Sequence, residues 1–222
     1  MTVKLVLFSD THGHHRRMAV PDGDILIFAG DMFLFGDGNS LEDFNAFLGE
    51  LPHRHKLVIA GNHDYCFEKE SARSAASLSN AIYLQDQAIA LDGIKLYGSP
   101  WQPQFGNMAF NLERGAALRE KWDMIPADTD VLITHAPPFG RGDRTAQGEH
   151  LGCQDLLEAV QRIQPRLHVF GHIHEAVGTS QAGKTTFINA SICNAAYEWA
   201  NAPVVFEYEL PDQAGSQAIR RE

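Results

Sequence analysis

Short apolar runs alternate with polar stretches along the whole chain. Runs rich in Val, Ile, Leu and Phe fall near residues 3 to 9, 24 to 29, 56 to 60, 81 to 84, 87 to 91, 94 to 98, 130 to 134, 167 to 171, 184 to 189 and 203 to 209, and each reads as a strand. Helical spacing shows between them. Leu41, Phe44, Phe47, Leu48 and Leu51 recur at helix intervals behind a Ser40 N-cap, until Pro52 stops them. Leu156, Leu157, Val160 and Ile163 do the same over residues 154–163, ahead of Pro165. The early strands alternate with helices, as parallel βαβ units require, whereas residues 81–98 and 176–209 predict short antiparallel strands turned at Leu91-Asp92-Gly93 and Ala182-Gly183. Two kinds of sheet in one chain predict an α/β fold, with two mixed sheets packed face to face and helices outside. The closing stretch PDQAGSQAIRRE predicts a frayed tail.

Five of the apolar runs end in residues that bind metals: VKLVLFSDTH on Asp10 and His12, DILIFAGD on Asp31, KLVIAGNHD on Asn62, His63 and Asp64, DVLITH on His135, and LHVFGHIH on His172 and His174. Asp and Asn are common at strand ends because they satisfy local backbone groups, so any one of these alone says little about a site. Their joint placement is different. Ligands of open α/β sheets gather at the carboxyl ends of strands, so one shared site is predicted. Asp10 and His12, like His172 and His174, sit two apart at a strand end and can serve one ion together. Nitrogen and oxygen donors without a thiolate favour divalent transition metals, Mn, Fe, Co, Ni or Zn, over Ca or Mg. Four histidines with Asp10, Asp31 and Asn62 exceed what one catalytic ion needs, and two ions about 3.5–4 Å apart would use them all.

Composition narrows the substrate. A formal net charge of −10 counts against long nucleic acid and anionic membranes, whose affinity comes from Lys and Arg, and leaves a small phosphate-ester substrate drawn in by the cations. Cys66, Cys153 and Cys193 lack CxxC spacing and predict reduced thiols packed as apolar filler in a cytoplasmic protein. The chain leads directly from Met1 into a strand, with no signal-like stretch and no apolar run of the roughly 18–20 residues a membrane span needs. No amphipathic surface specifies an oligomeric state.

Other polar residues carry milder expectations. His53 and His55 fall between a helix stop and a strand, a position expected to be a solvated turn. His14 and His15 are expected at the surface or behind the site, and His168 packed and hydrogen-bonded within its strand. The Gly-rich loop from Phe139 to His150 follows a site-bearing strand end, which makes Arg141 and Arg144 candidates for a substrate phosphate. Its RGD triplet reads as coincidence. Trp101, Phe105 and Phe110 either stack on a substrate or staple a Pro-containing loop.

The motifs DTH at 10 to 12, GD at 30 to 31, GNHD at 61 to 64, TH at 134 to 135 and GHIH at 171 to 174 resemble, in order and spacing, the calcineurin-like metallophosphoesterase superfamily. Within it, LYGSPWQP at 96 to 103, FNLERG at 110 to 115, THAPP at 134 to 138, QPRLHVFGHIHE at 164 to 175 and FINASIC at 187 to 193 look like the metallophosphoesterase-domain-containing (fetal-brain-type) proteins, relatives of class III cyclic nucleotide phosphodiesterases. The resemblance runs from about Val3 to Glu209. It implies a four-layer αββα sandwich, two mixed β-sheets flanked by helices, as one metallophosphoesterase domain over residues 1–210 with a C-terminal tail at 211–222. It also implies that Asp10, His12 and His174 hold a first ion, that Asp31 bridges, and that Asn62, His135 and His172 hold a second. Some relatives carry Gly where His172 stands, so its presence implies a fully armed site. Asp64 departs from the Glu often found there, which leaves its support of His63 open.

The implied activity is hydrolysis of small or cyclic-nucleotide-type phosphodiesters by a metal-bridging hydroxide, with His63 as the catalytic residue that protonates the leaving oxygen. A phosphomonoesterase or protein phosphatase would share these motifs, and so would a low-activity metal-binding scaffold.

Overall fold

The computed structural model describes residues 1–34 and 38–210. Its first half runs β1 (Thr2–Phe8), β2 (Ile25–Ala29), α1 (Gly38–Glu50), β3 (His55–Ile59), α2 (Tyr65–Lys69), α3 (Ser71–Ser77), β4 (Ile82–Tyr83), β5 (Gln87–Leu91) and β6 (Ile94–Ser99). The second half runs β7 (Gln102–Pro103), β8 (Asn111–Leu112), α4 (Ala116–Asp123), β9 (Val131–Thr134), α5 (Gln154–Ile163), β10 (Leu167–Phe170), β11 (Gly178–Ala182), β12 (Thr185–Asn189) and β13 (Val204–Glu209). One sheet has the order β13-β1-β2-β3-β4, the other β11-β12-β10-β9-β6-β5, and β7 pairs with β8 apart from both.

Alternation along the strands builds the layers. Leu5, Leu7, Ile27 and Ile59 of the first sheet face Leu96, Ile133, Val169 and Ile188 of the second, forming the core between them. The opposite faces are apolar too. Leu26, Phe28 and Val58 meet Leu41, Phe44 and Leu48 of α1 and Phe67 of α2, while Leu132, Phe170 and Phe187 meet Leu118 and Trp122 of α4 and Leu156 and Val160 of α5. Helix, sheet, sheet, helix is the expected four-layer order. Fully burying each such side chain contributes about 1.5–3 kcal/mol.

Strand direction positions the site. β1, β2 and β3 run parallel, as do β6, β9, β10 and β12, so each sheet presents the carboxyl ends of several strands at one edge. The two edges meet. Just past β1, Ser9 N–H donates to Ala190 O at 3.0 Å and Ile192 N–H donates to Ser9 O at 3.0 Å, so the sheets are stitched together beside Asp10.

Several expectations need correction. Ser40 lies inside α1, which begins at Gly38, and is not its N-cap. β4 pairs in parallel with β3, and β12 in parallel with β10, so among the described strands of the two large sheets only β5, β11 and β13 run antiparallel to their neighbours. His53 is buried rather than solvated, packed beside Gly23, and His15 is buried with Nε2 2.8 Å from Asp43. Cys66 is only half-buried, while Cys153 and Cys193 are buried, and all three are free thiols. His168 is packed as expected, its Nε2 2.9 Å from the Thr134 hydroxyl. The expected tail at 211–222 lies outside the described residues. No helix among the described residues is long and apolar enough to cross a membrane.

Candidate metal centre

The turns that leave the strands adopt an uncommon backbone. Asp10, His12, Asp31 and His172 have φ of 53°, 43°, 62° and 69°, in the left-handed region that costs a non-glycine residue about 1 kcal/mol or more. Cross-links hold them there. Asp10 N–H donates to Gly30 O at 2.8 Å and His12 N–H to Asp31 O at 3.2 Å, so the turns after β1 and β2 support each other. Two glycines make room for the acids. A Cβ at Gly61 would lie 2.2 Å from Asp31 Oδ1, and one at Gly171 would lie 1.9 Å from Asp10 Oδ2.

Seven residues from five strand ends converge as the pattern predicts. His12 Nε2 is 3.3 Å from His174 Nε2, and His174 Nε2 is 3.2 Å from Asp10 Oδ1. His135 Nε2 is 2.8 Å from Asn62 Oδ1 and 3.3 Å from Asp31 Oδ2, and its ring centre is 5.0 Å from that of His172. Asp31 Oδ2 also lies 3.8 Å from His12 Nε2, between the two halves. The donor atoms of Asp10, His12 and His174 lie within 4.8 Å of one another, as do those of Asp31, His135 and His172.

The second nitrogens decide what these groups do. Nδ1 of His12 faces Phe33 O at 3.1 Å, that of His135 Ala29 O at 3.0 Å, that of His174 Asn194 O at 2.9 Å, and that of His63 Leu34 O at 2.7 Å. A carbonyl oxygen only accepts, so each Nδ1 carries a proton and Nε2 is the nitrogen that each ring turns inward. Imidazole nitrogens and carboxylates then crowd together at one place, where divalent cations would take the position of the protons between them. The donor set therefore fits metal.

Charge at the centre shows the same demand. Burial pushes the Asp10 and Asp31 carboxyls up, but the surrounding histidines overcome it and hold both well below the usual carboxylate range. Burial pulls His135 down, yet the charge and hydrogen bond of Asp31 reverse this and push it up to about 9. Burial, helped by the charge of His135, pulls His172 down to about 3 against the opposing charges of Asp31 and Asp10. The acids draw positive charge inward.

Some supporting residues carry no periodic signal in the sequence. Asp64 is buried and accepts from the backbone N–H groups of Gly61 at 2.8 Å, Asp31 at 2.9 Å, Met32 at 3.0 Å and Phe33 at 3.3 Å, so it clasps the Asp31 turn rather than the His63 ring. Burial and the Asp31 charge push its carboxyl up to about 8, against the pull of these donors. Tyr197, also at positive φ, stands edge-on to His12, His63 and His174, with ring centres 4.8–5.8 Å apart. Its carbonyl faces His14 Nε2 at 3.1 Å.

A cavity of about 240 Å³ opens over the cluster, walled by Phe105, Leu151 and Tyr197 and floored by Asp31, Asn62 and His172. Phe105 is the aromatic residue of its segment that faces it. Trp101 instead donates to Asp86 at 2.9 Å and packs on Phe110 as a staple. Neither Arg141, which lies over Phe187, nor Arg144 lines the cavity. Asp143 of the RGD triplet is buried, accepting from Gly140 and Gly152, as a structural residue.

Known proteins are similar to this chain. The chain is 42% identical over 233 residues to metallophosphoesterase domain-containing protein 1 of Homo sapiens, covering 94% of this chain and 72% of that protein. It is 42% identical over 231 residues to the UPF0046 protein C25E10.12 of Caenorhabditis elegans, covering 94% of this chain and 82% of that one. The crystal structure of TT1561 of Thermus thermophilus shares the fold, with a TM-score of 0.59 at 13% identity over 85% of this chain and 89% of that one. With the calcineurin-like phosphoesterase profile matching residues 3–176, every strand end of the cluster included, the chain belongs to that family of metal-dependent phosphoester hydrolases.

Proposed function

We propose that this protein is a dinuclear-metal phosphodiesterase acting on small diesters, cyclic nucleotides among them, with manganese as its working ion. The observation that carries the reading is the place of Asp31, whose Oδ2 stands 3.8 Å from His12 Nε2 and 3.3 Å from His135 Nε2. One carboxylate thus serves two donor groups. Asp10, His12 and His174 would hold one cation and Asn62, His135 and His172 the other, with the Asp31 carboxylate between the two groups. When bound, the pair supplies Lewis acidity, which lowers the pKa of water toward about 7 and neutralises phosphate oxygens.

The chain's own residues do the rest. His12, His135 and His174 are held by backbone carbonyls, so the donors need little reorganisation when metal enters. His63 has its Nδ1 fixed on Leu34 O at 2.7 Å, which leaves Nε2 to pass a proton to the leaving oxygen. Its donor atom also lies within 4.8 Å of those of His12 and Asp31, close enough to serve a group bound there.

The cavity walls support a diester. Among the described residues no Lys or Arg lines them, so beyond the cations only the His63 proton is there to offset the second charge of a monoester, while Phe105, Leu151 and Tyr197 offer apolar surface to a second ester substituent. Three free thiols and a net charge of −10 suit a small substrate in the reducing cytoplasm.

The test is hydrolysis of bis-p-nitrophenyl phosphate and p-nitrophenyl phosphate by chelated protein with Mn²⁺ restored. Metal-dependent turnover with kcat/KM for the diester at least about tenfold higher is expected. A preference for the monoester would indicate a phosphatase, and no turnover by folded protein in any metal would indicate a scaffold. His63→Ala is expected to slow a methyl p-nitrophenyl diester little where nitrophenolate leaves, but dialkyl-type substrates by roughly 10²–10⁴-fold. Equal losses on both would remove His63 from the proton step.

A further inference from the structure

The segment FINASIC at 187 to 193 supplies no donor to the centre, yet Ser191 within it is buried against Asp10. We propose that Ser191 and Ser9 are positioning residues that restrict Asp10 to one donor oxygen, and so set the affinity of the Asp10–His12–His174 end of the centre alone. The proposal rests on the two-ion reading above.

The two oxygens of Asp10 live in different surroundings. Oδ2 accepts from the Ser9 hydroxyl and from the Ser191 hydroxyl at 2.8 Å, whereas Oδ1 accepts from no hydroxyl and meets His174 Nε2 at 3.2 Å and His12 Nε2 at 4.0 Å; His172 N–H is shared, 3.1 Å from each. Two hydroxyl donors use up the two lone pairs of Oδ2. Only Oδ1 remains for an ion.

Ser191 itself is fixed from behind. Its single hydroxyl proton faces two acceptors, Asp10 Oδ2 at 2.8 Å and Asn189 Oδ1 at 2.9 Å, and the charged one takes it. The Asn189 amide is oriented by N–H donation to Ile173 O at 2.8 Å and Gly142 O at 3.0 Å, so its oxygen has to face Ser191. Ser9 and Ser191 are also partners across the seam that joins the sheets. The close approach of Gly171 shuts the remaining side of Oδ2.

Nothing comparable acts at the other end. Asp31 Oδ1 accepts His63 N–H at 2.8 Å, and no hydroxyl donates to Asp31 among the hydrogen bonds of the described residues. The pinning is therefore one-sided, and so is its predicted effect.

Calorimetric titration of chelator-stripped protein with Mn²⁺ tests this. Wild type is expected to take up two ions. Ser191→Ala should weaken one binding step by about 10–100-fold, the usual effect of removing a partner behind a ligand, and leave the other within about threefold. Ser191→Thr, which keeps the hydroxyl, should restore the weakened step. Sub-stoichiometric Mn²⁺ should then give an uncoupled manganese EPR spectrum in Ser191→Ala at loadings where wild type already shows coupled pairs. If Ser191→Ala does not fold by circular dichroism, Ser9→Ala carries the same expectation. Equal weakening of both steps, or of neither, overturns the proposal. Fewer than two ions in wild type overturns the two-ion reading and the proposal with it, a failure recognisable because it appears without any substitution.

Discussion

Asp31→Asn is expected to lose phosphoesterase activity by about 10³-fold or more, roughly 4 kcal/mol of transition-state stabilisation, and to lose both cations together. The substitution isolates charge. Asn tolerates the left-handed backbone that Asp31 adopts at φ 62°, so the turn is kept while the carboxylate is removed. Two dications would then share one buried carboxylate, Asp10, instead of two. His174→Ala is a useful contrast, because its Nε2 meets Asp10 and His12, both of the same donor group. It should empty one position and spare the other. Metal content by mass spectrometry and kcat/KM on the same diester check both variants, and an Asp31→Asn protein that keeps two ions, or retains activity within about tenfold of wild type, would contradict the bridging role.

The second large effect is expected at a residue that touches no substrate. Asp64→Ala leaves backbone N–H groups of Gly61, Asp31, Met32 and Phe33 without their acceptor in a buried place. Each orphaned donor costs about 1–3 kcal/mol, and partial relaxation brings the expected total to about 3–5 kcal/mol. For a chain of this size that lowers Tm by roughly 10 °C. Thermal unfolding of the metal-free protein measures it without interference from bound ions. Asp64→Glu, with one more methylene in a packed clasp, should recover part of the loss. A fall of less than about 1 kcal/mol for Asp64→Ala would mean that the Asp31 turn holds itself.

How far these features were readable from sequence differs by residue, for physical reasons. The donors at strand ends were legible because a buried parallel strand must be an unbroken apolar run, so the polar residue that ends it stands out. Strand direction supplied the rest, since parallel strands deliver their ends to one edge. Helix α4 escaped because it anchors itself with only Leu118 and Trp122 as buried apolar residues, and α2 and α3 are too short for a period to show. β4 is a two-residue strand, and nothing in two residues distinguishes a parallel from an antiparallel neighbour.

Supporting residues were illegible for another reason. Ser9, Ser191 and Asp64 act through hydrogen bonds to partners set by the fold, including one between residues 181 positions apart in sequence. His53 read as solvated, and His15 as a surface group or one behind the site, because their neighbours in sequence are polar, yet both are buried. The left-handed turns at Asp10, His12, Asp31 and His172 were hidden as well, since only glycine announces that conformation.

Crystals of the protein grown or soaked with Mn²⁺, measured at the manganese absorption edge, test the central claim most directly. The account predicts two anomalous peaks about 3.5–4 Å apart, one among Asp10, His12 and His174, the other among Asn62, His135 and His172, with Asp31 between. A single peak at full metal loading, or peaks away from the Asp31 carboxylate, would contradict it.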